Sequence, residues 1–475
     1  MRSYEAIGVI APAAVDADRS FRSWTPTLSV SIAATAVALA FAWYQSPDWH
    51  TFWTDQGGYR RLGEVLATTG RFTRYPEART YVPEVLRTPG YPAFVAVMYR
   101  LFGTSQLAVV IPQAVVCGLL SLVVYRIAAY VTSPHAATWC ALAVALYPPV
   151  PYFAALVMTE VWTTFVVTTA MWLTLRAVMR ESRGGYALAG AVCGAAALCR
   201  PVFVLLPVAI AGAGALLAAV QRRRLAGWAL FLVAAAAVLS PWFAYNYHHF
   251  HRLTISPAGG VGRATWEGSW QGTWPGRVQA TLTDIADHQP ERAALDREVA
   301  TFAATTGRPE DPMLRYVHQW QDIRRIWTEP TESDARARAR VAADAEYWRV
   351  GLENIRAQPL AWAARRATTG LFVLWAGDLP IRYSDINRTP GAVIHAIWTA
   401  DAALALLAVL GILALVGTGR LEPTVLLGTL IVYVTAVHLP LLTEARQSLP
   451  AKPVMIALAV AGVATWWTRR RATRG

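Results

Sequence analysis

Long runs of apolar residues dominate the chain and predict membrane-spanning helices. A helix needs about 20 apolar residues to cross the hydrocarbon core of a bilayer. Ten runs approach this length, although the pair within 186–220 is short and can also be divided differently. The predicted spans are 26–45, 105–131, 137–152, 154–176, 186–200, 201–220, 225–247, 393–417, 421–441 and 450–468. The pattern predicts an all-α polytopic membrane protein with a bundle of about 10–12 transmembrane helices.

Clusters of arginine between the apolar runs predict the orientation of the spans. Positively charged loops tend to stay on the cytoplasmic side of a membrane. With ten crossings every cluster falls on one side, so both termini are predicted to be cytoplasmic. The clusters are Arg19 and Arg22, Arg176 with Arg180 and Arg183, Arg222 to Arg224, Arg420, and Arg469 to Arg471.

The same parity predicts the domain organisation, with the loops 46–104 and 248–392 outside the cytoplasm. The first of these loops belongs to the transmembrane core. The predicted units are a cytoplasmic tail at 1–25, a transmembrane core at 26–247, an extracytoplasmic loop domain at 248–392, C-terminal transmembrane helices at 393–468 and a cytoplasmic tail at 469–475.

Local patterns predict further elements outside the spans. Residues 257–276 are rich in glycine and tryptophan, which is typical of a loop or short strands. Residues 290–307 and 331–358 have helical spacing and are punctuated by proline. Residues 89–103 and 360–377 are apolar but too short or too charged to span a bilayer, so we predict helices that lie on the outer membrane face.

Composition excludes several classes of protein. Hydrophobic residues make up 55% of the chain and charged residues only 15%, against about 25% charged residues in soluble domains. A soluble enzyme, a disordered chain and a nucleic-acid-binding domain are therefore poor fits. The net charge of +13 is explained by arginines that flank apolar runs. The only lysine is Lys452, and such an arginine- and alanine-rich composition is typical of a bacterial genome, which predicts a bacterial inner-membrane location.

Cysteine and histidine patterns favour no metal or disulfide chemistry. Cys117, Cys140, Cys193 and Cys199 lie inside apolar runs without a ligand spacing, so we predict free thiols. The run at 248–251 contains three histidines. It has no second ligand set, and an interfacial polar tract explains it better than a divalent metal, which stays a weak alternative.

Six separate segments deliver ionisable residues to the predicted outer face. Such residues at a membrane are costly and tend to mark function. They are Asp55, Arg87, Glu160, Arg200, the pair His248 and His249, and the pair Glu444 and Arg446. Each residue alone is more simply a solvated loop charge, and it is their convergence that indicates a site.

An ordered set of short motifs accompanies these residues. The first loop contains Asp55-Gln56-Gly57-Gly58-Tyr59, then Arg87-Thr88-Pro89-Gly90-Tyr91-Pro92. Later come Thr159-Glu160, Leu198-Cys199-Arg200-Pro201, Pro241-Trp242 with Asn246, Gly259-Gly260, and Arg446 with Pro450 and Pro453. The set resembles GT-C glycosyltransferases, specifically the protein O-mannosyltransferase and aminoarabinose transferase-like group, glycosyltransferase families 39 and 83. The resemblance covers residues 25–468.

Two positions depart from the pattern of that group. Gln56 stands where a second acid is often found, which puts a second-carboxylate or metal role in doubt. Tyr245 stands where the group often has arginine, which removes one expected phosphate ligand. His248, His249 or Arg252 are the candidates to replace it.

The resemblance implies transfer of a sugar from a polyprenyl-phosphate donor to an extracytoplasmic hydroxyl. The leaving phosphate needs positive charge and the acceptor hydroxyl needs a base. The predicted base is Asp55. The predicted phosphate ligands are Arg87, Arg446, Arg200 and His249, and the predicted substrate contacts are Glu160, Tyr59, Tyr91 and Trp266. The implied partners are the lipid-linked donor, the bilayer and a glycan, lipid or protein acceptor.

Alternatives remain open for individual residues and for the function. Asp55 also suits a helix N-cap, and Glu160 also suits a structural pair with Arg200. Trp266 is the first of three tryptophans spaced four residues apart, a pattern that equally fits an aromatic membrane belt. The alternative functions are a transporter or flippase for a lipid-linked or anionic solute, and a polymerase or ligase of surface polysaccharide.

Overall fold

A computed structural model describes residues 24–49, 54–328, 333–416 and 418–472. Within these ranges the chain forms helices, turns and loops, and no β-strand. The predicted arginine cluster at Arg19 and Arg22, nearly all of the N-terminal tail, and the end of the C-terminal tail at 473–475 lie outside the described residues.

The described residues of the N-terminal half form ten α-helices. In chain order they are α1 (Trp24–Gln45), α2 (Thr54–Thr69), α3 (Gly90–Phe102), α4 (Gln106–Ala128), α5 (Pro134–Ala145), α6 (Pro149–Ala154), α7 (Thr159–Arg180), α8 (Arg183–Cys199), α9 (Leu206–Val220, preceded by a 3₁₀ turn at Pro201–Leu205) and α10 (Ala226–Phe250).

The described C-terminal half adds a helical region outside the bundle, named the outer region here (261–386), and three long helices. The outer helices are α11 (Val261–Trp270), α12 (Gly276–His288), α13 (Arg292–Thr306), α14 (Glu310–Thr328), α15 (Asp334–Ala357), α16 (Pro359–Arg365), α17 (Leu371–Ala376) and α18 (Tyr383–Ile386). The long ones are α19 (Gly391–Val416), α20 (Leu421–His438) and α21 (Lys452–Ala472), the last preceded by a 3₁₀ helix at Ala445–Ala451.

Eight helices in the described part of the chain are long and apolar enough to cross a membrane, fewer than the ten predicted spans. The predicted span 137–152 is divided between α5 and α6, because Pro148 and Pro149 lack the N–H groups that would continue the helix. The predicted span 186–200 is α8, which has 17 residues. Both segments nevertheless run beside full-length helices, since α5 packs against α4 and α21, and α8 packs along α7 and α10.

Large apolar side chains cover the outside of the long helices. Leu216 is 67% exposed, Leu413 66% and Val432 67%. Exposed apolar surface on this scale is unfavourable in water and typical of contact with lipid. The protein is therefore a multi-pass membrane protein. The four cysteines are free and buried, as predicted.

The outer region has a hydrophobic core of its own, built from aromatic residues. Trp266 stacks on Tyr316 at 5.7 Å, and Trp270 stacks on Trp274 at 5.4 Å. The predicted loop or strands at 257–276 hold as loop at 257–260 and 271–275 but are wrong at 261–270, where α11 buries two of its tryptophans on one helical face. The predicted helices at 89–103, 290–307, 331–358 and 360–377 are confirmed as helices.

Candidate active site

A cavity of about 160 Å³ lies at one end of the helix bundle, where six parts of the chain meet. Six of the nine predicted site residues line it. The lining residues are Asp55, Tyr59, Leu86, Arg87, Thr88, Met158, Thr159, Glu160, Cys199, Arg200, Pro201, Gly259 and Arg446.

Asp55 lies between two arginines on the wall of this cavity. Its Oδ1 is 3.3 Å from Nη2 of Arg87, and its Oδ2 is 3.4 Å from Nη1 of Arg446. The residue belongs to the first turn of α2, where the free N–H groups of a helix stabilise negative charge. Its side chain is 42% exposed. Asp55 is therefore a paired carboxylate that still faces the cavity.

The surroundings of Asp55 differ from the sequence expectation. The sequence places Trp49, Trp53 and Tyr59 near Asp55, which predicts a carboxylate buried against these rings. Trp53 lies outside the described residues, and Trp49 packs instead against Ala42, Val110 and Ala155. The guanidinium group of Arg87 covers the ring of Tyr59. Arg87 and Arg446, and not aromatic rings, therefore contact the carboxylate of Asp55.

The guanidinium group of Arg87 packs against an aromatic ring, in space that a side chain at Gly58 would fill. Its guanidinium lies 4.8 Å above the ring of Tyr59, in a cation–π contact, and its side chain is 10% exposed. A Cβ at Gly58 would collide with the same guanidinium. Burial lowers the pKa of Arg87, but Tyr59, Glu84 and Asp55 outweigh this effect and leave it above its ordinary value. Burial raises the pKa of Tyr59, which keeps its hydroxyl neutral.

A second group of charges forms the opposite wall. Glu160, in the first turn of α7, is 1% exposed, and its Oε1 is 3.5 Å from Nη1 of Arg446 and 3.8 Å from Nη1 of Arg200. Oε2 of Glu160 has no hydrogen-bond partner in the described structure. Arg200 directly follows α8, so the antiparallel pair α7 and α8 brings these two residues together.

Arg446 is oriented by its own 3₁₀ helix. Its Nε and Nη2 lie 3.1 and 3.0 Å from Oε2 of Glu444. Glu444 also forms a capping box with Gln447, in which each side chain bonds the backbone of the other. Glu444 thus ties Arg446 to the start of this 3₁₀ helix. Nη1 of Arg446 reaches towards Asp55 and Glu160.

The outer region clamps the segment that carries Arg446. Arg366 is 2% exposed and donates to the carbonyls of Leu439 and Leu441 at 2.7 and 2.8 Å, and to Thr443 Oγ1 at 3.0 Å. It also donates to Gln271 Oε1 at 2.6 Å, and Gln271 Nε2 donates to the carbonyl of Thr443 at 2.8 Å. Four anchor points therefore fix the chain immediately before Glu444.

The loop after α10 closes another side of the cavity. Trp242 Nε1 donates to the carbonyl of Ile255 at 2.6 Å, and Asn246 Nδ2 donates to the carbonyl of Thr254 at 2.7 Å. These bonds shape the turn that leads to Gly259, where a Cβ would collide with Ser256. The Pro241-Trp242 motif with Asn246 therefore has a structural role beside the cavity.

Positive and negative side chains alternate around the cavity. Three guanidinium groups and two carboxylates line it, and a third carboxylate, Glu444, pairs with Arg446 at its edge. Charge-assisted hydrogen bonds from arginine match phosphate oxygens well. The three guanidinium groups are therefore suited to hold a phosphate ester.

Three predicted site residues do not line the cavity. Tyr91 is fully buried, donates to Gln113 Oε1 at 2.8 Å and packs 5.2 Å from the ring of Tyr59, so it supports a lining residue. His249 contacts the rings of Tyr245 and Tyr81 near the end of α10. His249 is thus not placed to replace the missing phosphate ligand.

Trp266 also lies away from the cavity. It is 1% exposed, and its Nε1 donates to Gln319 Oε1 at 2.6 Å within the outer region. Both predicted roles, a contact with substrate and a place in a membrane belt, require an exposed ring, and neither fits this burial. The tryptophan repeat therefore indicates a core.

Gln56, the departure from the family pattern, points away from the cavity. It is 2% exposed, and its Oε1 accepts hydrogen bonds from the backbone N–H of Val157 at 2.9 Å and from Gln106 Nε2 at 3.0 Å. The amide ties α2 to the chain just before α7. Among the described residues no group of three or more histidine, cysteine or acidic side chains is placed to hold a metal ion.

One charged cluster near this end of the bundle contains none of the site residues predicted from the sequence. Lys452 is 1% exposed, lies 3.4 Å from Oδ1 of Asp401 and donates to the carbonyl of Trp375 at 2.8 Å. Tyr147 donates to the same Asp401 oxygen at 2.7 Å. Burial raises the pKa of the nearby Asp378 to about 6. A lone lysine and an aspartate inside apolar runs are the signal that would have found this cluster.

One family model matches part of the chain. Residues 86–245 match the family described as dolichyl-phosphate-mannose-protein mannosyltransferase, a segment that contains Arg87, Glu160 and Arg200. Comparison with curated proteins finds no match.

Solved structures of membrane glycosyltransferases resemble the whole fold. The archaeal oligosaccharyltransferase AglB from Archaeoglobus fulgidus, in complex with an inhibitory peptide and a dolichol-phosphate, is 16% identical with a TM-score of 0.52, over 95% of this chain and 52% of that chain. The same enzyme tethered to an acceptor peptide is 14% identical with a TM-score of 0.52, over 96% and 51%.

A third structure, ArnT from Cupriavidus metallidurans bound to undecaprenyl phosphate, is 17% identical with a TM-score of 0.38, over 92% of this chain and 77% of that chain. This chain spans about half the length of the oligosaccharyltransferase structures. At these identities the likeness shows the fold alone. The predicted GT-C fold is confirmed.

Proposed function

We propose that this protein transfers a sugar from a polyprenyl-phosphate donor to a hydroxyl acceptor, with Asp55 as the general base. The observation that carries the proposal is the cavity itself. One accessible carboxylate and three guanidinium groups face a single small space at the end of a membrane-embedded bundle. This is the inventory that such a reaction needs, since one group must accept a proton and others must stabilise a leaving phosphate.

The reaction balances without an additional reactant. The acceptor oxygen attacks the anomeric carbon as its proton passes to Asp55, and the bond from that carbon to the phosphate oxygen breaks. The electron pair leaves with the phosphate, whose growing charge is stabilised by Arg87, Arg200 and Arg446. A phosphate is a good leaving group, so no general acid is required. A single displacement inverts the configuration at the anomeric carbon.

The arginines that would hold the phosphate are engaged with carboxylates in this structure. The contacts of Arg87 and Arg446 with Asp55 are 3.3 and 3.4 Å, longer than the best charge-assisted hydrogen bonds. A phosphate entering the cavity would compete for these guanidinium groups. Donor binding would then loosen both pairs and free the carboxylate for the acceptor hydroxyl.

The charge of the cavity supports a donor with one phosphate. A sugar linked to a lipid through one phosphate carries a single negative charge, which the three guanidinium groups can stabilise beside Asp55 and Glu160. A diphosphate-linked sugar brings at least one further charge next to Asp55 and Glu160. The dolichol-phosphate in the AglB structure supports a lipid phosphate carrier in a bundle of this fold.

The experiment that tests the function compares three donors. Membranes containing the protein receive a synthetic short-chain polyprenyl-phosphate sugar, the matching diphosphate-linked sugar or the nucleotide sugar, and release of the lipid phosphate or nucleotide is measured. We expect the monophosphate donor to react fastest, by about tenfold or more over the diphosphate, because like charges in a closed site are unfavourable. Equal release from all donors, or from none, would contradict the proposal.

The placement of charge disfavours a transporter or flippase. Such a protein needs ionisable groups at the bilayer midplane, on a path that opens to both sides. Here the lining charges sit at one end of the bundle, and the deeper Lys452 and Asp401 pair with each other. A surface-polysaccharide polymerase or ligase would use the same donor chemistry and differs only in the acceptor.

We place the cavity on the extracytoplasmic side of a bacterial inner membrane. Arg222 to Arg224 and Arg469 to Arg471 lie at the end of the bundle opposite the cavity, which supports this orientation. Reporter fusions at Arg224 and Gly475 should therefore read cytoplasmic, and a fusion at Glu310 should read periplasmic. A cytoplasmic reading at Glu310 would reverse the orientation and remove the need for a lipid-borne sugar.

A further inference from the structure

A second charged cavity lies at the opposite end of the bundle from the candidate active site. Its volume is about 310 Å³. The residues that line it come from the adjoining ends of α7, α8, α9, α10 and α20. They are Val178, Glu181, Arg183, Tyr186, Ala218, Arg222, Arg223, Arg224, Ala226, Gly227, Trp228 and Glu422.

The two cavities are separate. Arg183 begins α8 and lines this second cavity, whereas Arg200 directly follows α8 and lines the candidate active site. A helix of 17 residues is about 25 Å long at 1.5 Å per residue. A ligand of the second cavity therefore cannot take part in the reaction proposed above.

Positive charge predominates in the second cavity. Arg223 forms an ion pair with Glu422 at 3.2 Å. For Arg183, Arg222 and Arg224 the described part of the chain provides no ion-pair partner within 4 Å. Four arginines against Glu181 and Glu422 leave a net charge of +2.

The backbone turn between α9 and α10 places three consecutive arginines on the wall. Arg222 has a φ of +55°, in the left-handed region where a helix more commonly ends with glycine. The N–H of Arg223 donates to the carbonyl of Ala218 at 2.7 Å and closes the turn. A non-glycine residue in this conformation is strained, and such strain is often found where a side chain has a binding role.

The floor of the cavity is aromatic and tightly packed. The rings of Tyr186 and Trp228 meet edge to face at 5.0 Å. A Cβ at Gly227 would lie 2.6 Å from the Tyr186 ring, so glycine is needed for this approach. Charged side chains thus surround a preformed apolar floor, an arrangement that suits a molecule with an anionic head and a hydrocarbon body.

We propose that the second cavity binds a phosphate group, and that its occupant in the membrane is the headgroup of an anionic phospholipid. Basic pockets between the ends of transmembrane helices bind such headgroups. The cavity lies where α8 and α10 begin and α9 ends, which is the depth of the headgroups in a bilayer. The guanidinium fork matches the oxygens of a phosphate diester.

The test uses the purified full-length protein in a mild detergent. Native mass spectrometry measures retention of phosphatidylglycerol and of phosphatidylcholine with identical acyl chains. The variant Arg222→Gln with Arg224→Gln removes two cavity charges. The matched control, Arg469→Gln with Arg471→Gln, removes two arginines at the same end of the bundle that do not line the cavity.

We expect the cavity variant to lose phosphatidylglycerol affinity by about 30-fold, from the usual contribution of two arginines near a charged headgroup. The control should lose clearly less affinity, because Arg469 and Arg471 do not line the cavity. Equal losses in both variants would show diffuse surface attraction and overturn the proposal. Equal retention of the two lipids by the unmodified protein would overturn it as well.

Two further arms complete the design. Glu422→Gln removes the internal competitor of Arg223 and should raise phosphatidylglycerol affinity, which keeps the proposal testable if the double variant fails to fold. Unchanged or lower phosphatidylglycerol affinity in Glu422→Gln would contradict the proposal. Inorganic phosphate should compete with the lipid weakly. Saturable phosphate binding in a protein that does not retain phosphatidylglycerol would assign the cavity to free phosphate and exclude the lipid.

Discussion

Replacing Asp55 with asparagine should lower the rate of sugar transfer by about 10²–10⁴-fold, the usual contribution of a general base. Asparagine keeps the size of the side chain but cannot accept the acceptor proton. Donor affinity is not expected to fall, because the change removes a negative charge that competes with the phosphate for Arg87 and Arg446. The measurement is transfer per folded molecule with a polyprenyl-phosphate sugar, together with donor binding.

Glu64→Gln is the matched control for Asp55→Asn. Glu64 lies on the same helix, α2, and forms an exposed ion pair with Arg61 at 3.4 Å, away from the cavity. This variant should transfer sugar normally. Near-normal turnover in Asp55→Asn would contradict the proposed base and leave Asp55 as a partner of two arginines.

Replacing Arg446 with lysine should lower turnover by about 10²-fold, although the charge is kept. Three nitrogens of Arg446 contact three different carboxylates, on Asp55, Glu160 and Glu444. Lysine carries a single point charge and cannot maintain this geometry. The same reasoning applies to Arg87, whose planar group lies over Tyr59 in a space that Gly58 leaves open.

Arg382→Lys provides the comparison for both lysine variants. Arg382 makes a similar forked contact with Asp385, at 3.0 and 3.2 Å, but does not line the cavity. This variant should leave turnover unchanged. If Arg87→Lys and Arg446→Lys also keep normal turnover per folded molecule, and lose only expression or thermal stability, both arginines are structural.

Most of the fold could be predicted from local patterns. Apolar runs of sufficient length, separated by arginines, predict the long helices, because a bilayer requires every backbone polar group to be satisfied within its own segment. The pattern failed at 137–152, where hydropathy does not record the break imposed by Pro148 and Pro149. It also fails at 261–270, where glycine and tryptophan suggest a loop although the chain forms α11 and two of its tryptophans enter a core.

The candidate site was predicted as a set of residues but not as a geometry. Topology indicated that Asp55, Glu160 and Arg446 share one face, and the structure brings them within ion-pair distance. Their mutual pairing, and the role of Glu444 as the anchor of Arg446, depend on side-chain positions that spacing does not specify. His249 and Trp266 share that face in the sequence prediction, but they pack elsewhere.

The sequence by itself determined the class of the protein, the positions of most long helices and the face on which the ionisable residues gather, since these follow from hydropathy and charge along the chain. Only the tertiary structure decided which charges meet. Glu160 and Arg200 come together because α7 and α8 pack antiparallel, and the segment that precedes Arg446 is held by Arg366 from a distant part of the chain. These contacts join residues far apart in sequence, and their distances follow from packing that no local pattern records.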